Sequence, residues 1–243
     1  MARVFITGSS GGLGRLAAQS LLDQGHDVVV HARDDDRSAA AQDLVARGAA
    51  LVVGDLADEG PTHDVARQVN ELGAVDAVIH NAGVDSGPSM LAVNVVAPYL
   101  LTVLIQAPER LIYLSSSMHR GGRPRLSGFD PAGRSDGVSY SDSKLLLTTL
   151  AFAVARRWAA VLSNAVDPGW VPTRMGGSGA PDDLTLGHRT QEWLAVSDDA
   201  PARTTGGYWH HQARLEPHPA CGDMRFQEEV IAALGRHTGV SLT

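Results

Sequence analysis

Tyr140 and Lys144 stand four residues apart in the stretch Ser139-Tyr140-Ser141-Asp142-Ser143-Lys144. That spacing puts both side chains on one helix face, a turn apart. A free phenol titrates near pKa ~10 and is a poor acid or base at neutrality. An ammonium beside it stabilises phenolate and is expected to pull that value toward the working pH, which makes the pair a candidate for proton transfer. Ser116 is a candidate third member, a hydroxyl donor aimed at an oxygen on which negative charge develops. It follows the apolar run 111–114 with only Ser115 between and so belongs at the carboxyl edge of a sheet. Ser127 is the alternative: it lies nearer Tyr140 in sequence but follows Arg123-Pro124-Arg125, a loop-like context. Ser115 and Ser117 read as strand-end hydrogen-bonding residues.

A second cluster is a turn, Thr7-Gly8-Ser9-Ser10-Gly11-Gly12-Leu13-Gly14, between an apolar run and a helical pattern. Glycines let backbone turn tightly and approach a pyrophosphate with no Cβ in the way. A helix that starts near Leu13 would aim free N–H groups and its positive dipole end at the same anion.

The spacing T-G-x-x-x-G-x-G resembles the short-chain dehydrogenase/reductase family. Further motifs occur in that family's order over nearly the whole chain: Asn81-Ala82-Gly83, Asn94, Ser116, Tyr140-x-x-x-Lys144, and Pro168-Gly169 with Thr173. Ser115, Ser116 and His119, with the long segment before Tyr140, look most like the retinol-dehydrogenase-like branch. The resemblance implies a Rossmann-type fold and reversible alcohol–carbonyl interconversion on a small, partly apolar substrate. Tyr140, Lys144, Ser116 and Asn94 would be its catalytic set. Cofactor contacts would come from Gly8, Ser9, Ser10, Gly12, Leu13, Gly14, Asn81, Ala82, Gly83, Tyr140, Lys144, Pro168, Gly169, Val171 and Thr173, with Asp55-Leu56 at the adenine. Asn94 is tied in the family to a water chain that reprotonates the tyrosine–lysine pair. Here Pro98 lies four residues on and has no N–H, which would leave the Asn94 carbonyl free for such a water.

NAD-preferring relatives commonly carry an acid at the end of the second strand. This chain has Ala32 there and then Arg33, whose planar fork of donors suits a 2′-phosphate. NADP(H) is therefore expected over NAD(H), with Asp34–Asp36 as rival ion-pair partners for Arg33. Two other readings stay open: a dehydratase or epimerase on the same scaffold, and a non-catalytic NADP(H) sensor, which the retained Tyr–Lys pair disfavours. His80, where many relatives have Asn, and the short link from Ile105 to Leu111 depart from the family pattern.

These residues need elements to hold them. Short apolar runs at 4–7, 27–31, 50–53, 77–80, 111–115, 162–166 and 207–209 read as buried strands. Amphipathic stretches at 13–23, 39–47, 62–72, 90–105, 144–158 and 226–237 read as helices between and after them. Such alternation predicts one α/β domain over 1–243, a doubly wound parallel sheet with helices on both faces. Residues 172–205, rich in Gly, Pro and Asp, are expected to form a mobile substrate lid at the ligand-binding edge. The segment 119–138 must fold around the site entrance. The helix 144–158 is apolar nearly all round, so one face is expected to meet a second copy in a homodimer. Trp170, Trp193 and Trp209 are read as core aromatics.

Composition excludes several classes. A net charge of −7 argues against nucleic-acid binding. A single cysteine, Cys221, permits no internal disulfide and suggests a reducing compartment. No metal is expected, because adjacent His210 and His211 lack ligand spacing to a cysteine pair. Apolar runs fall short of the ~20 residues that span a bilayer. The start, Met1-Ala2-Arg3 into Val4-Phe5-Ile6, is too short for a signal core, so a cytoplasmic protein is expected.

Overall fold

The computed structural model describes residues 1–106, 108–131 and 137–242. In chain order its elements are β1 (Arg3–Ile6), α1 (Gly12–Asp23), β2 (Asp27–Ala32), α2 (Asp35–Ala39), α3 (Gln42–Ala46), β3 (Ala50–Val53), α4 (Glu59–Glu71) and β4 (Ala77–His80). A π-helical turn (Ala92–Val96) leads into α5 (Ala97–Leu104), then β5 (Arg110–Leu114) and a 3₁₀ turn (Ser117–Gly121). The rest is α6 (Tyr140–Arg157), β6 (Leu162–Asp167), α7 (Leu184–Val196), β7 (Gly207–His210), β8 (Ala213–Leu215), a 3₁₀ turn (Pro219–Gly222) and α8 (Met224–Thr238).

The strands form one sheet in the order β3-β2-β1-β4-β5-β6-β7-β8. All neighbours are parallel except β7 and β8. The strand order reverses between β1 and β4, and the carboxyl ends open a crevice there. Successive side chains of a strand point to opposite faces, and the sequence uses both. Val4 and Ile6 enter one core while Phe5 enters the other; β2 repeats this with Val28 and Val30 against Val29. Helices α4, α5 and α6 cover one face, and α1 and α7 the other. Each fully buried Val, Leu or Ile contributes about 1.5–3 kcal/mol, so a sheet apolar on both faces is stable only when both are covered.

Four expectations need correction. The helix expected at 39–47 is two short helices, α2 and α3, because Asp34 caps a helix that starts earlier: its carboxylate accepts the Arg37 N–H at 2.9 Å. The run 90–105 is broken at the π-turn, where Ala97 N–H bonds Ala92 O five residues back, just before Pro98. A proline with no N–H to give is accommodated there by an extra residue rather than by a simple bend.

Third, the stretch 172–205 is no continuous loop. Asp183 accepts from the N–H groups of Thr185 and Leu186 and starts α7, whose Gly187, Thr190, Gln191, Leu194 and Ala195 are buried. Fourth, the apolar circumference of α6 is covered within the chain. The sheet lies on one side, and α8 with the 3₁₀ turn before it on the other. The face expected to meet a second copy is thus already packed. β8 escaped prediction because its two-residue turn uses His211 and Gln212 at φ 47° and 62° rather than Asn-Gly. Among the described residues no helix is long and apolar enough to cross a membrane, and no group of three His, Cys, Asp or Glu could hold a metal ion.

Candidate active site

The glycine turn between β1 and α1 is held from below by side chains that bond its backbone. Thr7 Oγ1 accepts the N–H groups of Asn81 and Ala82, both at 2.9 Å. Asn81 Nδ2 donates to the Thr7 carbonyl at 2.8 Å. His31, buried at the end of β2, accepts the Gly8 N–H on Nδ1 at 2.9 Å, which leaves Nε2–H to donate to the Gly54 carbonyl at 2.8 Å. Burial lowers the pKa of His31 and favours this neutral ring. Gly8 sits at φ 64°, and a Cβ on it would lie 3.0 Å from Ala82 Cα. A Cβ on Gly14 would fall 2.3 Å from Asn81 Nδ2. Both must stay glycine if the turn is to lie against β4.

The outer side of the same turn is open. Among the described residues, a Cβ on Gly11 would meet only Arg37 Nη1, at 3.9 Å, and one on Gly12 only the Thr173 side chain, again no nearer than 3.9 Å. Gly11, the N-cap of α1, offers no side chain to the first free N–H groups of that helix. Those donors, Arg37 and Thr173 thus border a space that fits a pyrophosphate. Ser9 does not border it. Its hydroxyl is buried, donates to the Ile6 carbonyl and accepts the His31 N–H. Ser9 is scaffolding, whereas Ser10 and Leu13 are half-buried. Leu56 packs in the core, and Asp55 beside it is half-buried.

Arg33 is largely exposed and paired with Asp34 at 2.9 Å, while Ala32 is buried. Arg37, which the sequence reading did not single out, brings a second guanidinium to this end. Its only sequence signal was its place one helical turn beyond Arg33. Thr173 reaches Gly12 because the chain after β6 doubles back. Pro168 starts this turn, and Gly169, at φ 84°, lies against the Asp182 carboxylate, which accepts the Trp170 N–H at 2.6 Å. Val171 is buried beside Gly187 of α7.

The second half of the site lies at the ends of β4 and β5. Tyr140 is the first residue of α6, fixed there by a capping box in which Ser139 and Asp142 bond each other's backbone N–H groups. Lys144, one turn on and buried, donates from Nζ to the Leu114 carbonyl at 2.7 Å and lies 5.6 Å from the Tyr140 ring centre. Ser116, two residues beyond β5, lies near enough for its side chain to act on the Tyr140 phenol and lower its pKa, whereas Ser127 is exposed on a turn. Geometry thus brings Ser116, Tyr140 and Lys144 together and leaves Ser127 out.

Asn94 is buried on the π-turn: Oδ1 accepts the Val84 N–H at 2.8 Å, and Nδ2 donates to the Val84 carbonyl at 2.8 Å and to Ser143 Oγ at 3.0 Å. A Cβ on Gly83 would stand 3.3 Å from Asn94 Oδ1 and 3.4 Å from Lys144 Nζ. The two polar groups therefore converge across a glycine.

Protonation departs from expectation. Burial pushes Tyr140 up to about 12; the Ser116 hydrogen bond lowers it less, and the Asp85 and Asp167 carboxylates raise it further. Burial also brings Lys144 down to about 8. Desolvation of both groups outweighs the attraction between ammonium and phenolate, so the resting tyrosine is a protonated acid. His80 stacks on Tyr113 beneath the site and is held neutral by burial, its pKa lowered to about 3. A cavity of about 380 Å³ opens beside Tyr140, lined by Asp85, Met90, Leu91, Asp130 and Val138 among others. The segment 119–138 does reach this entrance through Asp130 and Val138, although its residues 132–136 lie outside the described residues. Of the three tryptophans expected in the core, Trp209 is there and Trp193 packs edge-on against it at 5.3 Å, but Trp170 is 61% exposed.

A sequence model described as short chain dehydrogenase matches residues 2–105. The chain is 37% identical to an uncharacterized oxidoreductase, AN7799, of Emericella nidulans, over all of this chain and 99% of that one. It is 36% identical to the short-chain dehydrogenase chyC of Penicillium rubens, with the same coverage. Its fold superposes on a Pseudomonas aeruginosa RhlG/NADP active-site complex with a TM-score of 0.70, at 21% identity over 85% of this chain and 93% of that one.

Proposed function

The chain belongs to the short-chain dehydrogenases, and from that premise we propose that it is an NADPH-dependent reductase of a small carbonyl compound. One observation carries the reading: the side chains of Ser116, Tyr140 and Lys144 gather at the carboxyl edge of the sheet, with Lys144 Nζ 5.6 Å from the Tyr140 ring centre, beside an open cavity. Bound NADPH would supply the hydride. Gly8, Ser10, Gly12, Leu13 and Gly14 would hold its pyrophosphate by backbone, with Asn81, Ala82, Gly83, Pro168, Gly169, Val171 and Thr173 along its length. Arg33 and Arg37 would take the 2′-phosphate, Arg33 in exchange for its exposed pair with Asp34. A neighbour solved with NADP is consistent with this choice.

Tyr140 gives its proton to the carbonyl oxygen as the carbon is reduced, and its raised pKa keeps that proton in place at neutral pH. Ser116 donates to the same oxygen. Lys144, anchored by the Leu114 carbonyl, has further N–H donors for a sugar hydroxyl and for the phenolate left on Tyr140. The Asn94 amide is committed to Val84 and Ser143, so its main-chain carbonyl is the group that would hold a relay water. The lid role falls to the part of 172–205 before α7, where Met175 is exposed. Self-association as a homodimer rests on no observed surface and is tested by light scattering.

The experiment is a screen of ketones and aldehydes that follows loss of reduced-nicotinamide absorbance with NADPH and with NADH. The reading expects turnover of some partly apolar carbonyl, faster with NADPH, and one alcohol formed per cofactor oxidised. No turnover of any carbonyl by protein that binds NADPH would overturn it.

A further inference from the structure

His119 is fully buried, and nothing above assigns it a role. Its Nε2 lies 3.0 Å from the His218 backbone nitrogen, whose N–H it must accept. The ring proton is therefore on Nδ1, which lies 2.7 Å from the Ser116 carbonyl and donates to it. The His119 backbone N–H donates to the same carbonyl at 3.0 Å. Ser116 Oγ in turn accepts the Met118 N–H at 3.2 Å. With its carbonyl doubly bonded and one Oγ lone pair engaged by the Met118 N–H, the Ser116 side chain keeps its hydroxyl proton and one lone pair, and that proton can point toward Tyr140 and the substrate oxygen.

The other faces of the ring explain its rigidity. Tyr208 of β7 packs on it at 4.5 Å between ring centres and donates its own hydroxyl to the Asp167 carboxylate at 3.0 Å. Arg120 covers the far side of the cluster, 5.2 Å from the Tyr208 ring centre. Burial, Arg120 and His218 oppose protonation of His119, while the Ser116 carbonyl and Asp167 favour it; burial is the largest influence, and the ring stays neutral.

We infer that His119 is the positioning residue of Ser116: its Nδ1–H fixes the serine backbone while Nε2 ties that grip to the segment before the last helix. The inference rests on the proposed role of Ser116. It differs from a packing role because the two ring nitrogens do different things. Asparagine places its amide nitrogen where Nδ1 stands, and glutamine reaches the Nε2 position, so the two substitutions separate them.

The test compares wild type, His119→Asn, His119→Gln and Ser116→Ala in the carbonyl-reduction assay, with melting temperature and NADPH affinity measured alongside. His119→Asn is expected to keep kcat within about threefold. His119→Gln should lose about tenfold or more in kcat, with KM and NADPH affinity little changed. Equal losses in both variants that track melting temperature, or no loss in either, would overturn the inference. An unchanged kcat in Ser116→Ala would instead withdraw the role of Ser116 itself. Should His119→Gln fail to fold, nitrogen NMR of histidine-labelled wild type decides. Its signal, assigned by its loss in His119→Asn, must show the proton on Nδ1, and a proton on Nε2 ends the proposal.

Discussion

Two strand ends face each other across the crevice, and each is pinned by a buried histidine in the opposite tautomer. At the end of β2, His31 accepts a glycine N–H on Nδ1 and donates from Nε2. Beyond the end of β5, His119 accepts on Nε2 and donates from Nδ1. The first ring holds a stretch of backbone whose own N–H groups face the open side. The second holds a serine whose side chain faces the site. The proposed nucleotide end is thus built from main chain and tolerates no added atoms at Gly8 and Gly14. The proposed chemical end is built from side chains whose protonation has been moved, the half-buried Tyr140 up to about 12 and the buried Lys144 down to about 8. A loss at the first should appear in binding, and a loss at the second in rate.

Four changes test that division. The largest effect is expected from Lys144→Met, which removes the ammonium and leaves the Leu114 carbonyl without its donor. Single-turnover reduction should slow by about a hundredfold or more. Gly14→Ala acts at the other end. Its Cβ would drive into Asn81, and overpacking of about 1–3 kcal/mol should weaken NADPH by roughly tenfold or more in titration calorimetry. The rate at saturating cofactor should fall much less. A large drop in that rate would erase the contrast.

Arg33→Ala and Arg37→Ala should each cut the preference for NADPH over NADH by about tenfold, since a hydrogen bond to a charged group contributes about 1.5–3 kcal/mol before solvent screening at these exposed positions. Equal kcat/KM ratios in wild type and both variants would move the 2′-phosphate elsewhere.

A last effect is on stability. His31, His80 and His119 all have pKa values lowered from 6.5 by burial. Below that pH the unfolded chain binds protons that the folded chain refuses. Stability is then full above about pH 6.5 and falls as pH drops, by up to about 1.4 kcal/mol per unit for each histidine. Urea unfolding at several pH values checks the slope, and a flat profile would mean that these rings are not held neutral.

Legibility in sequence followed the same division. The glycine turn could be read directly, because a requirement for absent side chains leaves glycines at fixed spacing between an apolar run and a helix. The parallel sheet was equally readable from strands apolar on both faces, such as 4–7 and 77–80. The identities of Tyr140 and Lys144 were visible, but the direction of their pKa shifts was not. Desolvation depends on how deeply α6 is buried between sheet and α8, and four-residue spacing says nothing of that. Ser9 looked like a ligand for the same reason in reverse, since its type does not reveal that β2 claims its hydroxyl. Arg37 was missed because α2 begins at Asp35, ahead of the apolar pattern that suggested a helix at 39–47.

The most direct test of the whole account is Tyr140→Phe beside wild type, with alcohol formed and NADPH oxidised counted in the same reaction. The account predicts that the variant binds NADPH as tightly as wild type and loses about a hundredfold or more in kcat, because only the proton donor has gone. A variant that reduces the carbonyl at the wild-type rate would show that the proton comes from elsewhere and contradict the role of Tyr140.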